Sequence, residues 1–104
     1  MYPFYYYQAP DIGGASPSFA TVGVASAVAV PQNPRRKKVV LTNDSVNIIY
    51  LARGETAYLN RGPRLNANGG ALTDEPDIYG RIYTGPWAAI ATGAGSNLTF
   101  SEDR

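Results

Sequence analysis

The stretch of sequence that decides the fold is residues 37–51, which read KKVVLTNDSVNIIYL. β-Branched and other apolar residues flank Asn43, Asp44 and Ser45, three residue types that favour turns. The pattern predicts a strand over 37–42, a turn over 43–45 and a returning strand over 46–51, which would pair as a hairpin. We therefore expect antiparallel β-structure at the centre of the chain.

Further turn signals divide the last two thirds of the chain into short apolar stretches, which predict short strands and leave no room for a long helix. The strands are expected over 57–59, 64–65, 71–73, 81–83, 87–92 and 98–101. The expected core consists of Val39, Leu41, Ile49, Leu51, Leu65, Leu72, Trp87, Ile90, Leu98 and Phe100. Together these features predict an all-β fold, a small antiparallel β-sandwich or barrel formed by residues 35–104, with an extended N-terminal arm.

Residues 1–34 differ in composition from the rest and are predicted to be that arm. They carry a single charge, Asp11, and residues 1–19 are rich in Pro, Gly, Ser and Tyr without any periodicity. One strand is expected over 21–30, where valines alternate with small residues. Such a strand could add to the sheet edge of a neighbouring protein.

Aromatic side chains crowd the start of the arm. The cluster consists of Tyr2, Phe4, Tyr5, Tyr6 and Tyr7. Tyrosine combines a large apolar ring with a polar tip and is common at protein interfaces. We predict that this segment becomes ordered against a neighbouring subunit. The alternative is a terminus that stays unattached or folds back on its own domain.

Four consecutive positive charges follow the arm. They are Arg35, Arg36, Lys37 and Lys38. We predict that they belong to a protein interface, and the alternative is a solvated group that keeps the adjacent apolar strand from aggregating. Nucleic-acid binding is not favoured, because the net charge is only +1 and no aromatic residues are interleaved for base stacking.

The sequence offers no constellation for catalysis. It contains no Cys and no His, which removes thiolate nucleophiles, Cys/His zinc sites and the usual general base. Asp74, Glu75 and Asp77 could offer oxygen ligands to a hard cation, but a solvated acidic turn containing Pro76 is the simpler interpretation. We predict a protein that is not an enzyme and holds no metal or cofactor. No membrane association is expected, since the apolar run over 20–30 is about half the length of a membrane span.

Read in order, residues 33–102 resemble small proteins of tailed-bacteriophage particles. The shared pieces are an Asn-Pro-Arg-Arg opening, an apolar strand ending in Asn-Asp-Ser, a Tyr-Leu strand with a Gly-Glu turn, an Asn-Arg-Gly-x-x-Leu segment, an Asn-Gly-Gly turn, Tyr-Thr-Gly-Pro before Ala-Ala-Ile, and a closing Leu-x-x-x-Glu. In this chain they occupy 33–36, 39–45, 50–55, 60–65, 68–70, 83–90 and 98–102. Their order carries the resemblance, since each piece alone is ordinary turn chemistry.

The resemblance implies a structural component of the virion on a β-sandwich scaffold. We expect a capsid decoration or head accessory protein that attaches to or cements neighbouring subunits through its N-terminal arm. Its partners would be other virion proteins, namely major capsid, neck or tail subunits, and copies of itself in a homo-oligomer. The alternative is a carbohydrate- or receptor-binding module of a tail or fibre, with Tyr79, Tyr83 and Trp87 as the side chains that stack on the ligand.

Overall fold

Eight strands and no helix make up residues 15–103, the part of the chain that the computed structural model describes. The strands are β1 (Ala15–Val22), β2 (Ala27–Val30), β3 (Lys38–Asn43), β4 (Ile49–Arg53), β5 (Arg64–Leu65), β6 (Ala71–Asp74), β7 (Trp87–Ala91) and β8 (Ser96–Asp103). They form two antiparallel four-stranded sheets, sheet A with the order β1-β8-β3-β6 and sheet B with the order β2-β7-β4-β5. The predicted all-β fold is confirmed, and the two sheets pack as a sandwich.

The main core lies between the sheets and is formed by alternate residues of their strands. In β3, Val39 and Leu41 are buried, and Lys38, Val40 and Thr42 on the other face are half-buried. Trp87 of β7 is the largest side chain that is fully buried. Nine of the ten predicted core residues are buried, and the tenth, Leu72, packs against the core from a half-buried position.

A second apolar cluster covers the outer face of sheet B. Tyr50 and Ile90 pack there with Ala57, which belongs to the loop between β4 and β5. The Ala57 N–H donates to Ser26 Oγ at 2.8 Å, and the Tyr50 hydroxyl donates to Asn60 Oδ1 at 3.1 Å. These bonds hold the loop against the outer face of sheet B. Residues 57–59 were predicted as a strand, but they belong to this loop instead.

The hairpin predicted over 37–51 is wrong, because its two strands belong to different sheets. β3 pairs with β6 and β8 in sheet A, whereas β4 pairs with β5 and β7 in sheet B. The chain between them crosses from one sheet to the other. The buried side chain of Asn43 stabilises this crossing, because it donates hydrogen bonds to the backbone oxygens of Asn47 and Leu65. Six of the seven connections between the described strands cross in this way, and only that from β4 to β5 stays in its sheet.

The single strand predicted over 21–30 is also divided between the sheets. β1 pairs with β8 in sheet A, and β2 pairs with β7 in sheet B. Val22 and Val30 both reach the core, whereas Val24 and Val28 are exposed. The alternation of valines spans a corner where the chain changes sheets, and this makes two short strands look like one.

This division moves the start of the sandwich. Its first strand begins at Ala15, so residues 15–34 are part of the folded domain rather than of an arm that ends at residue 34. The remainder of the predicted arm, residues 1–14, lies outside the described residues. The aromatic residues predicted as an interface belong to that remainder: Tyr2, Phe4, Tyr5, Tyr6 and Tyr7.

Candidate functional site

The four basic residues predicted as an interface do not share one surface. Arg35 and Lys37 are exposed, and Lys38 is half-buried at the start of β3. Arg36, by contrast, has 0% of its side chain accessible to solvent. The Arg36 guanidinium is therefore used inside the domain, whereas the side chains of its three neighbours reach the surface.

The Arg36 guanidinium joins three separate parts of one end of the sandwich. Its Nε donates to Glu102 Oε2 of β8 at 2.6 Å. Its Nη1 donates to the backbone oxygens of Tyr83 at 3.1 Å and Gly85 at 2.9 Å, and its Nη2 donates to that of Pro31 at 2.9 Å. A buried charge needs such partners to offset its lost hydration. Arg36 thus fixes the segment before β3, the end of β8 and the loop before β7.

A groove of ≈ 570 Å³ lies beside this cluster. Its walls come from the start of β3, the end of β8 and the loop after β6, and we call it the β3–β8 groove. The residues that line it are Arg36, Lys37, Lys38, Glu75, Pro76, Gly80, Ile82 and Asp103. Pro76 and Ile82 offer apolar surface between charged residues of both signs. Such a lining suits an uncharged group that has an apolar body and a polar tip.

The loop that forms one wall of this groove is held in shape by Asp77. Asp77 Oδ1 accepts the backbone N–H groups of Tyr79 at 2.8 Å and Arg81 at 3.0 Å, and Oδ2 lies 2.9 Å from Arg81 Nε. The Gly80 N–H donates to the Asp77 backbone oxygen at 2.9 Å. Residues 81–83 were predicted as a strand but form none, and Arg81 is held in this loop by Asp77.

Two of the three acidic residues at 74–77 bond to other groups of the protein. Asp74 Oδ1 accepts from Arg53 Nη2 at 2.7 Å, and Asp77 binds its own loop. Over residues 15–103, no group of three or more His, Cys, Asp or Glu side chains is arranged to hold a metal ion. Asp74 and Asp77 act here as hydrogen-bond acceptors.

Asp77 should titrate at an unusually low pH. The pKa of its carboxyl lies below the ordinary value of 3.8, chiefly because the Arg81 backbone N–H donates to it; the Tyr79 N–H and the Arg81 side chain add to this lowering, and desolvation opposes it. Because folding lowers this pKa, the contacts of the Asp77 carboxylate with its loop are present when the pH is above the ordinary pKa. They are lost as the pH falls through the lowered pKa. We expect the Asp77 carboxyl and the Tyr79 and Arg81 amide signals to titrate together below 3.8 in NMR spectra.

Asp77→Asn is the control for that titration. The Tyr79 and Arg81 amide signals should then no longer respond to acid in this range, because no carboxyl contacts them. A shared midpoint above 3.8 in the unmodified chain would contradict the role given to Asp77.

The three aromatic residues considered for sugar stacking do not form one exposed platform. Trp87 is buried, and the ring of Tyr83 meets it edge-on with centroids 5.9 Å apart. The Tyr83 hydroxyl donates to the Pro86 backbone oxygen at 2.6 Å. Tyr79 is 75% exposed and lies beneath the Arg81 guanidinium. Of the three, only Tyr79 presents its ring to solvent.

Sequence reasoning missed two features of this site. Ile82 was assigned to a short strand and Asp103 to no role, although both line the groove. Neither could be found by a local pattern, because the groove is assembled from three segments distant in the chain. The resemblance to phage proteins did include residues next to the groove, because its first and last pieces contain Arg36 and Glu102.

β1, the first strand of the domain, begins at the same end of the sandwich as the groove. Ala15, the first residue of β1, lies opposite Asp103 of β8, and Asp103 lies opposite Lys38 of β3.

Comparison of the chain with protein-family models, with curated proteins and with solved structures finds no match in any of the three. Within residues 15–103 there is no helix with the length and apolar character needed to cross a membrane.

Proposed function

We propose that this chain is a non-enzymatic structural protein of a phage particle, a capsid decoration or head accessory protein. It attaches to neighbouring virion subunits through the aromatic segment, defined here as residues 2–7, and it works as a homo-oligomer. The resemblance over residues 33–102 supports the place in a virion, and the confirmed β-sandwich agrees with the scaffold which that resemblance implies.

The observation that carries the proposal is the way the aromatic segment joins the sandwich. The segment leads, after seven further residues, into β1, which pairs with β8 along all eight of its residues. Val22 at the other end of β1 is buried in the core. A pull on the aromatic segment is therefore resisted by a strand ladder and a packed core, as an attachment device requires.

The edges of the two sheets offer a second kind of contact. β1 and β2 are outer strands of sheets A and B, and they follow each other along the chain. Phe19 of β1 is 67% exposed and Val28 of β2 is 62% exposed. An outer strand with exposed apolar side chains is suited to strand addition by a neighbouring subunit. The contact predicted for residues 21–30 is therefore proposed at these two edges.

The test is the amount of this protein in purified particles. We expect the unmodified chain to copurify with particles on a density gradient at a constant number of copies per particle, counted by mass spectrometry. A full-length variant in which Tyr5, Tyr6 and Tyr7 are replaced by serine should fall in occupancy by about tenfold or more, because aromatic anchors dominate such contacts and many copies amplify the loss.

Tyr79→Ser is the matched control, since Tyr79 is an exposed tyrosine outside the aromatic segment. Its occupancy should equal that of the unmodified chain. Absence of the unmodified chain from purified particles would contradict the role in the virion. Full occupancy of the triple variant would contradict attachment through the aromatic segment, and loss of glycan binding in Tyr79→Ser would favour the carbohydrate-binding alternative instead.

A further inference from the structure

We propose that the β3–β8 groove receives the aromatic segment of a second copy of this chain. The inference rests on the proposed function, because it names the partner that the aromatic segment first meets. Each copy would insert residues 2–7 into the groove of the other.

The position of the chain ends supports this pairing. β1 begins at Ala15, which lies in register with Asp103, and Asp103 lies in register with Lys38. Asp103 and Lys38 both line the groove. The fourteen residues before Ala15 therefore depart from the end of the sandwich where the groove opens.

The chemistry of the groove matches that segment. Residues 1–10 carry no charged side chain, so burial of their rings leaves no unpaired charge. Pro76 and Ile82 can pack against tyrosine rings, and the carboxylates of Glu75 and Asp103 can accept hydrogen bonds from phenolic hydroxyls. The wall behind them is firm, because Arg36 binds Glu102 and two carbonyl groups of the adjacent loop.

The position of β1 suits an exchange between two copies, as the homo-oligomer of the proposed function requires. β1 runs antiparallel to β8, so β1 begins at the end of sheet A where β8 finishes and the groove opens. A twofold axis near this end brings the start of each β1 close to the groove of the other copy. The same patch then serves both copies, as in an isologous dimer.

Paramagnetic relaxation in mixed samples tests the proposal. The chain contains no Cys, so Gln8→Cys carries a single spin label next to the aromatic segment. We mix spin-labelled chain at natural isotope abundance with ¹⁵N chain that has no label, so that only contacts between copies broaden signals. The amide signals of Gly80, Ile82 and Asp103 should fall to about half intensity when half of the ¹⁵N chains are paired with a spin-labelled chain.

Two control variants sharpen this test. Ile82→Lys puts a charge in the groove and should weaken pairing by about tenfold, whereas Ile78→Lys puts the same charge on an isoleucine of the same loop that is 89% exposed and should leave pairing unchanged. A spin label at Ala94→Cys, in the exposed turn before β8, should not broaden the groove signals.

Several results would overturn the proposal. The first is an absence of broadening at about 1 mM chain, which excludes even weak pairing. The second is broadening only when the spin label and ¹⁵N are on one chain. Equal broadening from the two label positions, or equal effects of the two lysine variants, would also overturn it. The purified chain is used without particles, so the proposal can fail while the role in the virion stands. Conversely, absence of the chain from particles leaves the pairing measurable.

Discussion

Replacement of Arg36 by methionine should lower the free energy of unfolding by about 3–5 kcal/mol. The substitution keeps most of the side-chain length but removes the ion partner of Glu102. This loss is costly because the Glu102 side chain is only 12% accessible to solvent. It also removes the donor from the carbonyl groups of Tyr83, Gly85 and Pro31. A loss of this size is a large part of the stability of a small domain. Urea unfolding followed by tryptophan fluorescence measures it, because Trp87 is the only tryptophan and is buried.

Arg35→Met is the matched control for this effect. Arg35 is the preceding residue in the sequence, carries the same charge and is exposed. Its replacement should change the free energy of unfolding by no more than about 0.5 kcal/mol. If the two variants lose similar stability, net charge rather than the buried contacts of Arg36 would be the cause.

A double variant separates the ion pair from the carbonyl contacts. When Glu102 is replaced by leucine in the Arg36→Met background, no carboxylate is left buried without a partner. The double variant should therefore be less destabilised than the sum of the two single variants. A strictly additive result would contradict direct coupling between Arg36 and Glu102.

Sequence patterns located the strands of this domain better than their partners. The residues that alternate in 37–42 do face the core, and eight of the ten predicted core residues belong to the main buried cluster. Period and turn residues are local properties, and they determine where a strand lies and which face it buries. The partner of a strand depends on contacts distant in sequence, and for this reason β3 and β4 were placed in one hairpin although they lie in different sheets.

The burial of Arg36 could not be read from the sequence for the same reason. A run of four basic residues usually indicates a solvated surface, because a buried cation is costly unless it is paired. The partner that offsets this cost is Glu102, which is 66 residues away in the sequence. The groove is also assembled from segments distant in the sequence, namely β3, β8 and the loop after β6. For this reason the sequence predicted Lys38 as an interface residue but did not predict the groove that Lys38 lines.

Each end of the sandwich contains a buried polar side chain that bonds to several segments of the chain. Arg36 lies at the end at which β8 finishes, and Asn43 lies at the end at which β8 begins. Both lie in pieces that carry the phage resemblance, the Asn-Pro-Arg-Arg opening and the Asn-Asp-Ser turn. Those pieces therefore specify the scaffold, and the attachment that we propose depends on other parts of the chain, the aromatic segment and the groove.

Replacement of Asn43 by aspartate should lower the free energy of unfolding by about 3 kcal/mol at neutral pH. Asn43 is 0% exposed, and its Nδ2 donates to the backbone oxygens of Asn47 at 2.6 Å, Leu65 at 3.0 Å and Asn66 at 3.1 Å. The substitution keeps the shape of the side chain but replaces these donors by an oxygen. Three carbonyl groups then lose a donor at the point where β3 crosses to the other sheet.

The pH dependence of that variant distinguishes lost hydrogen bonds from lost packing. Burial among carbonyl oxygens raises the pKa of the introduced carboxyl above its value in the unfolded chain. The variant should therefore be most stable below about pH 4 and lose stability as the pH rises through the raised pKa, relative to the unmodified chain at each pH. Asn68→Asp is the matched control, because the Asn68 side chain is exposed in the adjoining turn, and its effect should stay within about 0.5 kcal/mol. A deficit for Asn43→Asp that is the same at every pH would show that the carboxyl reaches solvent, and Asn43 would then not be a buried polar side chain that bonds these segments together.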